Sequence, residues 1–160
     1  MEIRSASEHD IDRLLPLHVE LHEWSAAGLP SRLRVAATYD VDAQRAYMRE
    51  LIAGSSVCLV AFDDASEPIG LAEVRLRDAE IDPGVVPVRR GYLQALVVTR
   101  EHRDKGVGRT LLQAAEAWAR SNGAEEMELD HWLFDGGPGA FYDRAGYGVL
   151  SVMRVKRLDP

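Results

Sequence analysis

The sequence has few of the features that would place a chain of 160 residues outside the class of ordinary globular proteins. Its one cysteine, Cys58, cannot form an intramolecular disulfide, which excludes a disulfide-stabilised scaffold. No apolar run reaches the roughly 18 residues that a membrane-spanning helix requires. Internal repeats and low-complexity tracts are absent, and residues 1–4 show no signal-peptide pattern. We therefore expect one domain, residues 1–160, in the cytoplasm.

The chain also lacks an excess of positive charge. Its 19 Lys and Arg residues against 26 Asp and Glu give a net charge of −7, which argues against a nucleic-acid partner because such a partner needs a basic face. An acidic protein is compatible with a cationic acceptor such as an amine, but acidity alone does not indicate one. Cys58 lies in an apolar stretch that predicts a buried strand, so we interpret it as a core thiol rather than a nucleophile.

A strand, a glycine turn and a helix follow one another in the middle of the chain. Residues 92–98 form an apolar, β-branched stretch that predicts a buried strand. Arg-Asp-Lys-Gly-Val-Gly follows at residues 103–108. Apolar residues then recur at helical spacing, at Val107, Leu111, Leu112, Ala115, Trp118 and Ala119. Because glycine has no Cβ and the first N–H groups of a helix are unpaired, this arrangement favours binding of a phosphate group.

The spacing of the glycines narrows the choice of phosphate ligand. A Walker loop needs a lysine after its last glycine, where this chain has Arg109-Thr110. A dinucleotide fingerprint needs a third glycine, where this chain has Leu111. The run fits Arg/Gln-x-x-Gly-x-Gly/Ala, and residues 140–147 match Ala-Phe-Tyr-x-x-x-Gly followed by an aromatic residue. Both motifs resemble those of the GNAT N-acetyltransferases, and the resemblance is specific from about residue 91 to residue 158.

The order of the expected elements resembles the same family. Strands are predicted at residues 3–6, 57–62, 69–77, 92–98, 126–132 and 149–157, and helices at residues 11–22, 42–53, 107–122 and 140–144. We expect Ser7 or Asp10 to cap the first helix. The resemblance implies a single-domain α/β fold with a central, mostly antiparallel mixed sheet and helices on both faces. It also implies that the strand ending at Val98 and the strand at 126–132 are parallel and splay apart.

The resemblance further implies a site for acetyl-CoA as co-substrate, with no metal. In the family, the backbone of the strand before the glycine turn pairs with the pantetheine arm, the turn holds the pyrophosphate, and an Asn seven residues before the tyrosine contacts pantetheine. The matching positions here are Leu96, Val97, Val98, Arg103, Asp104, Lys105, Gly106, Val107, Gly108, Arg109, Asp135 and Tyr142. Asp135 replaces the Asn and cannot donate a hydrogen bond when ionised, although it could cap the next helix.

Acetyl transfer to an amine needs an oxyanion donor, an acid and a base. A backbone N–H near Leu96 or Val97 is expected to stabilise the oxyanion. Tyr142 occupies the family position of the acid that protonates the leaving thiolate, although it could also be a packing aromatic. The family's usual base positions hold Tyr92 and Gln94 here, and neither is a carboxylate. Glu73, His131 or a chain of waters remains as the base.

The expected function is acetyl-CoA-dependent N-acetyl transfer to a primary amine by direct attack on the thioester. The acceptor is left open between a small or aminoglycoside-like amine and a protein N-terminus or lysine. By resemblance, residues 25–40 and 78–89 wall its site. Candidate wall residues are Trp24, Leu33, Tyr39, Trp132, Glu80 and Asp82. The alternative is a non-catalytic acetyl-CoA-binding regulatory module. No nucleic acid or membrane partner is expected, and a homodimer is one assembly to consider.

Overall fold

The computed structural model describes residues 1–33, 40–78, 84 and 86–158. The strands in these residues are β1 (Glu2–Ser5), β2 (Val57–Phe62), β3 (Pro68–Arg77), β4 (Arg90–Val98) and β5 (Glu126–Glu128). The helices are α1 (Ile11–Gly28), α2 (Val41–Ala53), α3 (Val107–Ser121) and α4 (Gly139–Arg144). Across this part of the chain, none of the helices is both long and apolar enough to cross a membrane.

The five strands form one sheet in the order β1-β2-β3-β4-β5. The pairs β1-β2, β2-β3 and β3-β4 are antiparallel, and the pair β4-β5 is parallel. This mixed, mostly antiparallel sheet with a parallel last pair confirms the predicted fold class. One apolar cluster packs α3 against the sheet, and a second packs α1 and α2 against it, so helices cover both faces.

The first two helices begin where the sequence indicates. A carboxylate oxygen of Asp10 accepts hydrogen bonds from the backbone N–H and the hydroxyl of Ser7, at 2.8 and 2.7 Å. Arg4 donates to both oxygens of Asp10, and this hydrogen-bonded cation holds the pKa of Asp10 well below its usual range. At α2, the side chain of Asp40 accepts from the N–H of Ala43 at 2.9 Å, as an N-cap residue does. The side chain of Asp40 thus caps α2, whereas the Ser7–Asp10 pair closes the 3-10 turn (Glu8–Asp10) that leads into α1.

Strand β4 contains the irregularity that separates it from β5. Its register with β3 shifts between Glu73 and Val74, because Glu73 pairs with Ala95 and Val74 pairs with Leu93. Gln94 is therefore the extra residue of a β-bulge, which increases local twist and bends the strand. The parallel pairing with β5 covers only Arg90, Gly91 and Tyr92. The two strands therefore separate just before the bulge. The gap that the resemblance implies between β4 and β5 lies beyond it.

Two strand predictions near the C-terminus are wrong. The strand predicted at 126–132 ends at Glu128, because beyond Tyr92 the diverging β4 no longer offers it backbone partners. The strand predicted at 149–157 is irregular instead, and its apolar side chains are exposed, with Val149 at 81% and Met153 at 96%. Apolar β-branched residues favour an extended chain, but a strand becomes stable only when another strand satisfies its backbone groups. Residues 148–158 have no such partner in the described structure.

Candidate active site

The glycine turn between β4 and α3 has the geometry of an anion-binding helix start. Gly106 is the residue before α3 and has φ of +86°, a left-handed conformation that glycine adopts without strain. The intrahelical ladder begins with the N–H of Thr110, which donates to the carbonyl of Gly106 at 3.0 Å. The N–H groups of Val107, Gly108 and Arg109 precede it, so they lack intrahelical partners and can meet a ligand.

The packing of the protein does not require a glycine at position 108. A Cβ added at this position would lie 3.5 Å from Cγ2 of Val98 and 3.7 Å from the ring of Phe141, which are ordinary contact distances. An alanine would therefore fit against the protein. The glycine instead keeps the first turn of α3 open to the close approach of another molecule.

A cavity of about 460 Å³ opens above this turn. It is lined by Leu21, Trp24, Leu96, Val97, Val98, Arg103, Asp104, Gly106, Gly108, Arg109, Pro138, Phe141, Tyr142, Arg144 and Ala145. The fold therefore brings nine of the twelve predicted cofactor residues to one place. The side chain of Val107 is buried in the core instead, and Lys105 and Asp135 are exposed outside the cavity wall.

The outer edge of β4 faces this cavity with backbone groups that no strand pairs, although the carbonyl of Val98 accepts a hydrogen bond from Nε of Arg103. The N–H of Thr99 donates to the carbonyl of Ile69 at 3.0 Å, so Thr99 points its backbone toward β3. Backbone groups alternate in direction along a strand, so those of Val97 also face β3, whereas those of Leu96 and Val98 face away from it. In the described structure, β5 pairs with β4 only up to Tyr92. The outward edge at Leu96 and Val98 can therefore accept an extended ligand as an added strand.

Arg103 is anchored to the protein rather than directed only at a ligand. Its Nε donates to the carbonyl of Val98 at 3.0 Å, and its Nη2 donates to Glu20 at 2.8 Å. Its guanidinium also lies 5.7 Å from the ring of Trp24. The motif arginine thus ties the turn to β4 and α1. The role of Glu20 was not predicted, because no spacing in the sequence connects a residue of α1 with the turn.

Two further arginines remain available for an anion at this cavity. Arg109 and Arg144 both line it, and neither has an ion-pair partner among the described residues. Asp104 is the one carboxylate in the wall. The net charge of the cavity wall is therefore positive, although the net charge of the whole protein is negative. Arg144 was not predicted, because it lies outside the glycine motif.

Tyr142 is held in the cavity wall by aromatic packing. Its ring stacks with His131 at 5.6 Å between centroids and makes edge contacts with Phe141 and Tyr147 at 5.2 and 5.9 Å. Its hydroxyl has no hydrogen-bond partner in the described part of the chain. Burial raises the pKa of Tyr142 to about 12, so the phenol keeps its proton throughout the neutral range. The hydroxyl is thus a free donor directed by fixed packing.

A sequence profile of the acetyltransferase (GNAT) family matches residues 18–147. The chain belongs to the GNAT family. An aminoglycoside N(6′)-acetyltransferase type 1 from Klebsiella aerogenes is 30% identical over 108 residues, which are 66% of this chain and 68% of the relative. The uncharacterised N-acetyltransferase YobR of Bacillus subtilis is 36% identical over 78 residues, which are 46% of this chain and 32% of the relative.

Solved structures show the same fold over the whole length. A tetramutant of the BH1408 protein from Bacillus halodurans superposes with a TM-score of 0.87 at 21% identity, over 99% of this chain and 100% of that protein. The curated relatives are matched less completely, since the alignments span between 32 and 68% of their lengths. The GNAT assignment therefore rests on the family profile, the Klebsiella relative and the fold together.

Asp135, at the position of the family asparagine, does not cap α4. The residue before α4 is Pro138, and no side chain caps that helix. A tight turn between Phe134 and Gly137 intervenes, with the N–H of Gly137 donating to the carbonyl of Phe134 at 2.9 Å. This turn separates the Asp135 side chain from the helix start, so the predicted cap is wrong.

The two predicted bases have different surroundings in this GNAT fold. Glu73 is buried on β3 at 1% exposure, with Nε2 of His18 3.1 Å from its Oε1 and the Tyr47 hydroxyl 3.0 Å from its Oε2. His131 stacks on Tyr142, and its Nδ1 lies 3.1 Å from the carbonyl of Trp132. Neither lines the cavity at the glycine turn. His18 was not predicted, because only the packing of α1 on β3 brings it to Glu73.

A second cavity of about 230 Å³ adjoins the first. Its wall consists of His18, Leu21, His22, Ser25, Leu33, Gln44 and Trp132. Leu21 lines both cavities, so the two spaces meet at α1. Of the predicted acceptor-wall residues, Leu33 and Trp132 lie here and Trp24 lies in the first cavity. Tyr39, Glu80 and Asp82 lie outside the described residues. No cluster of three metal-binding side chains occurs in the described ranges.

Proposed function

We propose that the protein is an acetyl-CoA-dependent N-acetyltransferase that transfers the acetyl group directly to a primary amine. The observation that carries this proposal is the shared cavity, in which the free edge of β4, the open start of α3 and the hydroxyl of Tyr142 all meet. Each of the three suits a different part of one thioester ligand. Membership of the GNAT family supports the same assignment.

The chain's own groups fit the diphosphate and the pantetheine of CoA. The unpaired N–H groups at Val107, Gly108 and Arg109 suit the diphosphate, with the positive end of α3 behind them. The side chains of Arg109 and Arg144 add two cations at the same wall. A diamide arm would extend along the outward groups of β4. In this arrangement Lys105 and Val107 contribute through their backbone or through charge at the rim, and Asp135 contributes little.

The same edge of β4 supplies an oxyanion donor. Negative charge develops on the thioester oxygen when the amine attacks, and a backbone N–H directed at that oxygen stabilises it. Of the two predicted donors, Val97 faces β3 in the sheet ladder, whereas Leu96 faces the cavity side. We therefore assign the donor role to the N–H of Leu96. Val97 then serves through its packing, at 4% exposure.

Tyr142 acts on the sulfur as the C–S bond breaks. A phenol with a pKa of about 12 is a weaker acid than a thiol, whose ordinary pKa is about 8.5. Its hydroxyl therefore helps most late in the step, when the departing sulfur carries nearly a full charge and its affinity for a proton is highest. The hydroxyl first donates a hydrogen bond to the sulfur and then protonates it.

The described cavity beside α1 is our proposed acceptor site. Its volume of about 230 Å³ suits a small amine or one ring of a larger one. Trp132, with 52% of its surface exposed, offers an aromatic face to a cation, and Ser25 and Gln44 offer hydrogen-bond acceptors. The aminoglycoside acetyltransferase relatives make a polyamine sugar one candidate acceptor. Of the two predicted base candidates, Glu73 contacts a side chain of this wall, that of His18.

A non-catalytic acetyl-CoA-binding module is the alternative. The absence of a carboxylate at positions 92 and 94 favours it. Tyr92 cannot serve as the base, because its hydroxyl already donates to Asp130 at 2.9 Å and burial raises the pKa of Tyr92. The free hydroxyl of Tyr142 favours the enzyme, since a module that only binds CoA has no need of a donor placed beside the thioester.

The experiment that distinguishes the enzyme from the binding module measures the free thiol released from acetyl-CoA. The protein is assayed with a panel of an aminoglycoside, a linear polyamine, simple alkylamines, a peptide with a free N-terminus and a lysine peptide. If the protein is an enzyme, thiol release should depend on one class of amine and should saturate as the concentration of that amine rises. Tight CoA binding in calorimetry with no amine-dependent release would establish the module instead.

We also propose that the protein forms a homodimer through residues 148–158. This segment exposes six large apolar side chains, which monomeric proteins seldom leave in water together. It carries Arg154, Lys156 and Arg157, whereas the open edge at β5 carries Glu125, Glu126 and Glu128. The segment of one copy therefore suits the β5 edge of a second copy in both backbone pairing and charge.

A further inference from the structure

A buried carboxylate and a buried imidazole face each other between β3 and α1. Nε2 of His18 lies 3.1 Å from Oε1 of Glu73, at exposures of 6% and 1%. The two atoms are close without being aligned as a hydrogen bond, and neither has a hydrogen-bond partner elsewhere among the described residues. The second oxygen, Oε2, accepts from the hydroxyl of Tyr47 at 3.0 Å. The carboxylate is therefore held by Tyr47 at one oxygen and faces His18 with the other.

The fold itself does not require this pair. Glu73 projects toward the apolar cluster that α1 and α2 form on the sheet, which includes Leu14, Met48, Val60 and Leu71. Withdrawing charged groups from water is unfavourable, and apolar residues of similar volume often stabilise a protein as well as or better than a buried ion pair. A buried pair in such a cluster therefore suits a chemical role better than a structural one.

His18 connects this buried pair with the proposed acceptor site. Its side chain forms part of the wall of the second cavity, which meets the CoA cavity at Leu21. Because Nε2 faces Glu73, Nδ1 is the ring nitrogen left to meet a molecule in the cavity. A small rotation of the imidazole ring would let the carboxylate accept the Nε2 proton, and that hydrogen bond would fix the tautomer in which Nδ1 carries a lone pair. The arrangement presents a proton acceptor to an amine.

We infer that His18 is the catalytic base that deprotonates the acceptor ammonium, and that Glu73 is the positioning residue that orients it. The inference rests on the proposed function, and it assigns a residue to the deprotonation of the acceptor. An alkylammonium transfers one proton to Nδ1 of His18. The neutral amine then forms the C–N bond as the C–S bond breaks. The nitrogen loses its second proton to solvent, Tyr142 protonates the thiolate and regains a proton from solvent, and His18 releases its proton, so that one net proton is produced.

His131 is the rival base, and its contacts favour a different role. Nδ1 of His131 is engaged by the carbonyl of Trp132 at 3.1 Å, and its ring stacks against Tyr142. It lies in the wall of neither cavity. His131 therefore supports the ring of Tyr142, whereas His18 reaches the acceptor side.

The test compares two amines of the same shape and different basicity. The first is the alkylamine that the wild-type protein acetylates fastest. The second is its analogue with a trifluoromethyl group next to the amine-bearing carbon, which is mostly neutral at pH 7 and needs no base. The variants are His18→Gln and Glu73→Gln, with His131→Gln as the matched control. Calorimetric acetyl-CoA binding and thermal unfolding report whether each variant is folded.

We expect His18→Gln to lower kcat/KM for the alkylamine by about 100-fold or more, the usual scale of a general base, and to leave the fluorinated amine within about threefold of wild type. Glu73→Gln should lower kcat/KM by a smaller factor, again more for the alkylamine than for the fluorinated amine. His131→Gln should show no such difference between the two amines. Equal losses with both amines, or none, would refute the dyad while the wild-type activity leaves the proposed function standing. If wild-type protein acetylates no amine of the panel, the proposed function fails and the dyad with it. Should His18→Gln be unfolded, Glu73→Gln decides by the same comparison.

Discussion

Replacing Gly108 by Asp tests whether the start of α3 binds the diphosphate of CoA. The Cβ of a new side chain would meet Val98 and Phe141 at 3.5 and 3.7 Å, so the free protein can accommodate it. An acidic residue in the first turn of a helix stabilises that helix by about 0.3–1 kcal/mol. Removal of a glycine from a helix adds about 0.5–1 kcal/mol. The melting temperature of the ligand-free variant should therefore be equal to or above that of wild type.

Binding should change in the opposite direction. Two like unit charges about 4 Å apart near a protein surface repel by about 4 kcal/mol, and salt reduces this value. We expect acetyl-CoA affinity to fall by at least about tenfold, or 1.4 kcal/mol, in calorimetry. Gly108→Ala, which adds bulk without charge, should weaken binding less. A folded Gly108→Asp protein that binds acetyl-CoA as tightly as wild type would refute the assignment of this turn.

Three further predictions follow from the structure. Tyr142→Phe should leave acetyl-CoA binding nearly unchanged and lower kcat by about 100-fold, with a smaller loss for an acyl donor whose thiol is more acidic; equal losses with both donors would argue against the acid role. Asp10→Asn should lower the unfolding free energy at pH 7 by about 1–3 kcal/mol in denaturant titrations, because Arg4 and Ser7 lose a charged acceptor. Since the folded pKa of Asp10 is depressed, this difference should shrink as pH falls below about 4, and a difference independent of pH would contradict the pairing of Asp10 with Arg4. The double variant Val152→Asp, Val155→Asp should be monomeric by light scattering where wild type is dimeric, and identical masses for the two proteins would rule out the proposed interface.

The parts of the fold that the sequence predicts are those that local patterns determine. Apolar periodicity and turn residues predict β2 and α3 closely, and the predicted capping residues Ser7 and Asp10 lie in the turn just before α1. The strand predicted at 149–157 shows the limit of such patterns. Its composition favours an extended chain, but pairing depends on an edge elsewhere in the molecule or in a second copy, which the composition does not encode.

The candidate site divides in the same way. The glycine turn and Tyr142 follow from contiguous motifs, and the fold brings them to one cavity. The partners of Arg103 and Glu73 do not follow from motifs, since Glu20 and His18 lie on α1, far away in the sequence. Only the packing of that helix across β3 and β4 brings them together. Asp135 fails as a cap because the intervening turn, rather than its residue type, decides where α4 begins.

The activity that we propose for this protein is the transfer of an acetyl group from acetyl-CoA to an amine. The most direct measurement uses acetyl-CoA with a deuterated acetyl group and identifies the products by mass spectrometry, with the best amine of the panel present. We predict that the amine acquires the deuterated acetyl group in equal amount to the thiol released, and that Tyr142→Phe slows both together. Two results would contradict the proposed transfer. One is release of thiol with the label appearing only as free acetate, and the other is no release of thiol in the presence of any amine.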